Sequence, residues 1–346
     1  MQRSSDAPLR IVAIGGGTGL STLLRGLKKY VPPRGDLGPA VEVTAVVTVA
    51  DDGGSSGRLR REFEILPPGD IRNCMVALSE DEALLSQLFN HRFSSGRGLK
   101  GHSFGNLFLT ALTSLTGDFA RAVRMSSEIL AIAGQIYPAT ESDVMLEAIL
   151  DDGSVVMGES KISRSKARIR RIQLRPRSCI PMRETLEAIA AADLITFGPG
   201  SLYTSVIPNI LVEGIPEAIC ASDAVRAYFC NLMWQPGETT GLTASEHAKA
   251  IVDHAGKPVI DYVIVNTSEI QAPLLRKYER RRQRPVATDV DRLKAMGLTV
   301  VEAPLASKEH LVRHDPDKAA AIAIRLATEG RAMKKVIRGH GKVRAS

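Results

Sequence analysis

An apolar, β-branched run that stops in a string of glycines and restarts as an amphipathic pattern leaves a chain few folds to choose from. In 10-RIVAIGGGTG-19, four apolar residues run straight into Gly15, Gly16, Gly17, Thr18 and Gly19. From Leu20 to about Tyr30, apolar residues then recur at helical spacing. A second run, 41-VEVTAVVTV-49, is again mostly apolar and β-branched, as a strand covered on both faces requires. Strand, helix and strand in this order form a right-handed crossover in a parallel sheet. The Pro/Gly-rich 32-PPRGDLGP-39 between them reads as loop.

The remaining chain extends this pattern. Residues 69–134 carry helical periodicity in four stretches, and 136–177 alternates as short strands, at 136–140, 143–149, 153–160 and 168–174. Parallel units then resume: helix 181–192, strands 193–197 and 226–233, helix 243–255, strand 261–266, helix 270–282, strand 298–303 and a closing helix over about 316–330. The fold class is therefore α/β, a Rossmann-like, doubly wound, mostly parallel sheet with a helical insert (about 69–134) and a small β extension (about 136–177). Residues 1–330 read as a single domain, and the basic 331–346 as an unstructured tail.

Composition removes several function classes. No run of 18 apolar residues is present, which argues against a membrane-spanning helix. The polar MQRSSDAPLR start is not that of a secretory signal, and a cytoplasmic protein is expected. Cys74, Cys179, Cys220 and Cys230 form no CxxC pair and read as reduced thiols. The net charge of +7 is concentrated in 161-KISRSKARIRRIQLRPR-177 and in the tail, with eight and six Lys/Arg and no acid. Neither segment has interleaved aromatics, so single-strand stacking gains no support and no nucleic-acid partner is expected. No Ser–His–Asp order, CxxC cluster or HExxH motif appears.

The chemistry-bearing residues cluster where strands end, the edge at which open parallel sheets bind ligands. Gly16, Gly17, Thr18 and Gly19 place backbone N–H groups at a helix start, suited to an anion. The spacing fails the dinucleotide fingerprint, and no P-loop lysine follows. In 48-TVADDGGSSGRLR-60, Asp51 and Asp52 end the second strand. They could coordinate Mg²⁺ on a phosphate, or one could hold a ribose hydroxyl while the other caps the turn. Neighbouring strand residues face opposite ways, so one of the pair is expected to face the ligand. Ser55 and Ser56 add donors. In 67-PPGDIRN-73, Asp70 suits a helix N-cap and leaves Arg72 and Asn73 to a ligand; 102-HSFGNLFL-109 presents His102, Ser103 and Asn106. The loop 197-FGPGSLYTSVIPN-209 offers Gly198, Gly200, Ser201 and Tyr203 at a second anion-suited turn, and 231-NLMWQPGETTGLTASEH-247 offers Gln235 before a Thr243/Glu246 capping box. Tyr278, inside a basic run, suits stacking on a base, and Arg313 suits a pyrophosphate.

Seven ordered blocks, 14-IGGGTGLSTLLRGLK-28, 46-VVTVADDGGSSGRLR-60, 67-PPGDIRNC-74, 103-SFGNLFL-109, 198-GPGSLYTSVIPN-209, 230-CNLMWQPGET-239 and 313-RHDP-316, together resemble the bacterial gluconeogenesis factor family. That family lies within the superfamily of the 2-phospho-L-lactate transferases. The resemblance spans about residues 10–330 and implies a Rossmann-like core with the ligand cleft built from these loops. For the transferase branch it implies Mg²⁺-assisted transfer of a phospholactyl group from a guanosine-diphosphate-linked donor to a deazaflavin. For the gluconeogenesis factor branch it implies UDP-sugar binding, growth on gluconeogenic carbon sources and control of cell shape and wall synthesis, with no established chemical step. By position, Gly16, Gly17, Thr18, Asp51, Asp52 and Asn106 match the shared core, and Tyr278 and Arg313 fall where the second branch places a nucleotide-sugar Tyr and Arg. Trp234 departs from the smaller or polar residue expected there, and the tail lies outside the resemblance.

The leading expectation is thus a regulatory protein that binds a UDP-N-acetylglucosamine-type ligand and acts through cell-wall or metabolic protein partners, as a homodimer by analogy of size and fold. The competing expectation is a transferase in which Asp51 and Asp52 hold Mg²⁺ and the donor. An NAD-dependent oxidoreductase ranks below both, since the fingerprint fails.

Overall fold

The structure, a computed structural model, describes residues 7–32, 41–307 and 311–343. The Pro/Gly-rich segment expected as loop falls almost wholly outside them. The strands are β1 (Leu9–Gly15), β2 (Val41–Val47), β3 (Gln135–Pro138), β4 (Met145–Leu150), β5 (Val155–Met157), β6 (Ile169–Arg175), β7 (Leu194–Phe197), β8 (Val225–Phe229), β9 (Tyr262–Asn266) and β10 (Thr299–Ala303). Seven of them form one sheet in the order β10-β9-β8-β7-β1-β2-β3, with every pairing parallel. Ile11, Val12, Ala13 and Ile14 of β1 are all buried, because helices cover both faces of the sheet.

The order of pairing positions the site. From β1 the chain moves outward through β2 to β3; it then returns to the other flank of β1 as β7 and moves outward again through β8, β9 and β10. The reversal lies between β1 and β7, which pair from Ile11↔Leu194 to Ile14↔Phe197. Their connections leave toward opposite sides, opening a crevice at the strands' carboxyl ends.

Between β1 and β3 run α1 (Gly17–Leu27), α2 (Gly54–Phe63), α3 (Gly69–Leu78), α4 (Glu82–Asn90), α5 (Phe104–Thr116) and α6 (Phe119–Ile129). The polar turn after β2 is shorter than its sequence suggests, since Gly54 already opens α2. The segment expected to start the β extension is instead the edge strand β3, paired to β2 over Thr44–Val47. Its Pro138 sits at the last position of an edge, where a missing ladder donor is tolerated. The extension itself is the antiparallel sheet β5-β4-β6.

The closing helix runs Pro316–Val343 and packs on α1. Residues 331–343 are therefore helical where an unstructured tail was expected. Arg331 donates to Asp193 at 2.5 Å and to the carbonyls of Ala7 and Pro8, and Lys334 Nζ lies 3.7 Å from the same carboxylate. Asp193 also accepts from Arg10 N, so one carboxylate joins the closing helix to the amino ends of β1 and β7. Among the described residues, no helix is long and apolar enough to cross a membrane.

Candidate ligand-binding cleft

A cleft of about 270 Å³ opens at the β1–β7 reversal. One lip is the turn Gly16, Gly17, Thr18 and Gly19, and the other is Pro199, Gly200 and Ser201. The two lips touch back to back. A Cβ on Gly19 would overlap the Pro199 carbonyl and stand 2.7 Å from Gly200 Cα, so only glycine permits this approach.

Behind the lips the polar groups are held by one another. Asn231, two residues past the end of β8, donates to the Gly200 carbonyl at 3.0 Å and to Gln235 Oε1 at 3.0 Å. Gln235 in turn donates to Ser201 Oγ at 2.7 Å, and Tyr228 donates to Asn231 Oδ1 at 3.1 Å. Asn209 reaches the Gly15 carbonyl at 3.2 Å from the other side.

The opposite wall holds Trp234, Tyr278, Gln283, Val312, Arg313 and His314. Tyr278 projects from the helix Ala272–Glu279, and its hydroxyl accepts from Val312 N at 3.0 Å. His314 hydrogen-bonds the Cys230 carbonyl at 3.1 Å and is largely buried; burial pushes its pKa down to about 4, so it is a neutral donor here. Arg313 is thus carried between two pinned neighbours with an exposed side chain of its own. Trp234, which the resemblance did not anticipate, is fixed by its indole N–H to the Leu242 carbonyl at 3.1 Å.

A second group of polar residues adjoins the glycine turn on the β2 side. Asp70 is not the cap of its own helix: α3 begins at Gly69, and the Asp70 carboxylate accepts from the Gly17 N–H at the start of α1. Gly16 is glycine for this reason, since a Cβ there would collide with Asp70 and stand 2.8 Å from Thr48 Cγ2. Asp51 accepts from Gly53 N at 2.7 Å and from the Ser56 side chain. Asp52 turns the other way and accepts from Ser160 N at 2.8 Å, tying the β extension to the core. Of the two aspartates, then, Asp51 stays beside Asp70 and Arg72.

Glu159, on the short helix Glu159–Ile162, meets this group from the extension. Its carboxyl is pushed up to about 9 by burial and by Asp51, Asp70, Glu238 and Asp52, so it is protonated at neutral pH. Burial and Asp51 raise Asp70 to about 7, and burial raises Glu238 to about 7. Glu238 accepts from Tyr203 N and Thr204 Oγ1, both at 3.3 Å, and so braces the turn behind Ser201. Nothing in the sequence marked Glu159, which reaches this group from the extension on its short helix; Glu238 stood in a segment read at the same sheet edge, without a role of its own.

Among the sequence candidates, Gly16, Gly17, Thr18, Gly19, Gly200, Ser201, Gln235, Tyr278 and Arg313 share the cleft. Asp51, Ser55, Ser56 and Asn106 belong to the β2-side group: Ser55 bonds His102 Nδ1 at 3.0 Å, and Asn106 donates to Ser56 Oγ at 3.3 Å. Arg72 is spent on Ser103 and Asn73, which leaves Asn73 outside the cleft. Gly198, in the left-handed region at φ 71°, shapes the second lip without lining it. Tyr203 is a correction: it is buried behind the lip, packed edge-on against His254 at 5.9 Å, and faces away from the cleft. The Thr243/Glu246 capping box is present. Asn231 and His314 were missed as site residues. Asn231 escaped because the apolar run reads as a strand to residue 233, whereas β8 ends at Phe229 and leaves Asn231 in the turn beyond it.

Comparison with known proteins points one way. The family model for 2-phospho-L-lactate transferase CofD matches residues 11–306. The gluconeogenesis factor of Bacillus subtilis is 49% identical over 321 residues, covering 92% of this chain and 98% of that protein. The gluconeogenesis factor of Halalkalibacterium halodurans is 49% identical over 309 residues, covering 89% and 93%. A crystal structure of a Bacillus halodurans protein superposes with a TM-score of 0.87 at 48% identity, over 92% of this chain and all of the other.

Proposed function

Because the chain belongs to the gluconeogenesis factor family, within the 2-phospho-L-lactate transferase superfamily, we propose that its cleft binds a nucleotide sugar of the UDP-N-acetylglucosamine type. In this reading the protein is regulatory, acting in growth on gluconeogenic carbon sources and in cell-shape and wall control through protein partners. The observation that carries the reading is the pairing of two backbone lips at the β1–β7 reversal with Tyr278 and Arg313 on the facing wall. The Gly16–Gly19 turn and Gly200–Ser201 suit a diphosphate. Arg313 supplies its charge partner and Tyr278 a flat surface for a ring. A neighbouring space of about 350 Å³, sharing Asn231 and Leu232, gives the rest of such a ligand room.

The carboxylates beside the glycine turn do not forbid a diphosphate. With Glu159 protonated and Asp70 near its midpoint at neutral pH, much of the local negative charge is already removed. The gathering of Asp51, Asp70 and Glu159 is also what favours the second reading, Mg²⁺-dependent phospholactyl-type transfer. Asp51 and Asp52 do not fit as joint ligands, since Asp52 is turned to Ser160 N. Among the described residues, no three acidic, His or Cys side chains converge as metal ligands do.

Calorimetric titration with UDP-N-acetylglucosamine, GDP and NAD, with and without Mg²⁺, separates the readings. The sensor reading expects metal-independent binding of the UDP-sugar that survives Asp51→Asn. It expects Tyr278→Ala or Arg313→Ala to weaken that binding at least ~10-fold, about 1.4 kcal/mol. Tight GDP binding that requires Mg²⁺ and Asp51 would instead establish the transferase reading, and no heat from the UDP-sugar at millimolar concentration would remove the first.

A further inference from the structure

A second cavity, of about 610 Å³, shares no residue with the cleft. It lies between β6 and the helix Ala244–Ala255, and Tyr203 lines it. Its walls are strongly charged, and most of those charges are already matched. Arg168 pairs with Glu246 at 3.2 Å and Lys249 with Asp253 at 2.6 Å. Arg170 and Arg171 have no carboxylate within pairing distance among the described residues, and Asp151 is the remaining acid on the wall. His254 is committed elsewhere: Nδ1 bonds the Ala250 carbonyl at 2.6 Å, and Nε2 accepts from Ile172 N at 3.0 Å. Its ring is therefore neutral and presents an apolar edge.

Tyr203 supplies the independent sign of a ligand. The residue is only 5% exposed, yet its hydroxyl has no hydrogen-bond partner among the described residues. Burial pushes the phenol up to about 12, so it keeps its proton and is a donor. A hydroxyl on an otherwise buried ring, open only toward a cavity that also holds two unmatched guanidiniums, suits an acceptor with several oxygens and negative charge.

We propose that this cavity is a second ligand site, for a small phosphorylated polyol whose phosphate is held by Arg170, Arg171 and the Tyr203 hydroxyl and whose hydroxyls donate to Asp151. Guanidinium forks match phosphate oxygens in pairs, and a carboxylate accepts hydroxyls while turning away further anionic groups. The cavity is of small-molecule size. The assignment does not depend on what the cleft binds.

Titration of the intact protein with glycerol 3-phosphate, inorganic phosphate and glycerol, each alone, tests it. Glycerol 3-phosphate is expected to bind more tightly than inorganic phosphate, and glycerol not at all. The double variant Arg170→Ala/Arg171→Ala is expected to lose at least ~10-fold in affinity. Tyr203→Phe, which removes no bond of the fold, is expected to lose about 5-fold with an unchanged melting temperature. Asp151→Asn should weaken glycerol 3-phosphate but not inorganic phosphate, and Arg313→Ala, a change in the cleft, should leave glycerol 3-phosphate affinity as it was. The proposal is overturned if glycerol 3-phosphate fails to bind at roughly 10 mM. It is equally overturned if binding survives the double arginine variant, or falls with Arg313→Ala and so belongs to the cleft. Equal affinity for inorganic phosphate would refute the polyol.

Discussion

Gly19 shows how much a single residue fixes here, since any side chain would push the Gly200 backbone away from the Gly16–Gly19 turn. Gly19→Ala is expected to cost about 1–3 kcal/mol of stability and to weaken UDP-N-acetylglucosamine binding far more than that loss accounts for, read by denaturant unfolding beside calorimetry. Tyr278 acts on Arg313 through the Val312 N–H. Tyr278→Phe keeps the ring and loses the tether, so a few-fold weaker affinity is expected, against near-complete loss in Tyr278→Ala. Glu159 gives a signature in pH. Below its ordinary 4.5, folded and unfolded chains are both protonated and this group adds no pH-dependent penalty. From there to about 9 the unfolded chain has released the proton that the folded one retains, so stability falls as pH rises. Glu159→Gln should flatten that decline between pH 6 and 9 in thermal melts; an unchanged slope would show that Glu159 is not held protonated.

At the scale of elements, the strands were legible because burial on both faces favours runs that are mostly apolar and β-branched, as in Val41–Val47 and Tyr262–Asn266. What escaped was decided by contacts far apart in sequence. The β3 segment IYP carries no cue for joining β2 rather than the extension, and its parallel register appears only once α3 to α6 have been crossed. The basic tail read as solvated because its counter-charge, Asp193, lies 138 residues from Arg331. Asp70 read as a cap for α3, whereas the fold lends it to α1. Asp193→Ala would leave Arg331, Lys334 and Arg10 N without their shared acceptor. The expected loss is about 3 kcal/mol, with earlier hydrogen exchange in the last turns of the closing helix and no change in nucleotide affinity. A fully protected helix end in that variant would contradict the role assigned to Asp193.

For the whole molecule, one topological fact organises the site: the sheet reverses between β1 and β7, and the loops leaving those strands form the two lips. Nine of the candidate residues share this rim: Gly16–Gly19, Gly200, Ser201 and Gln235 stood out as glycine and polar turns after strands, whereas Tyr278 and Arg313 stood out by their basic setting and the family resemblance. The sequence could not separate the cleft proper from the carboxylate group beside it, nor show that Tyr203 faces a different cavity, since both depend on how the extension packs. The most direct test is a crystal structure of the protein soaked with UDP-N-acetylglucosamine. The diphosphate is expected between Gly16–Gly19 and Gly200–Ser201, with Arg313 on its oxygens and Tyr278 against a ring. A nucleotide found elsewhere, or a diphosphate drawn through a metal onto Asp51 with Arg313 free, would contradict the account.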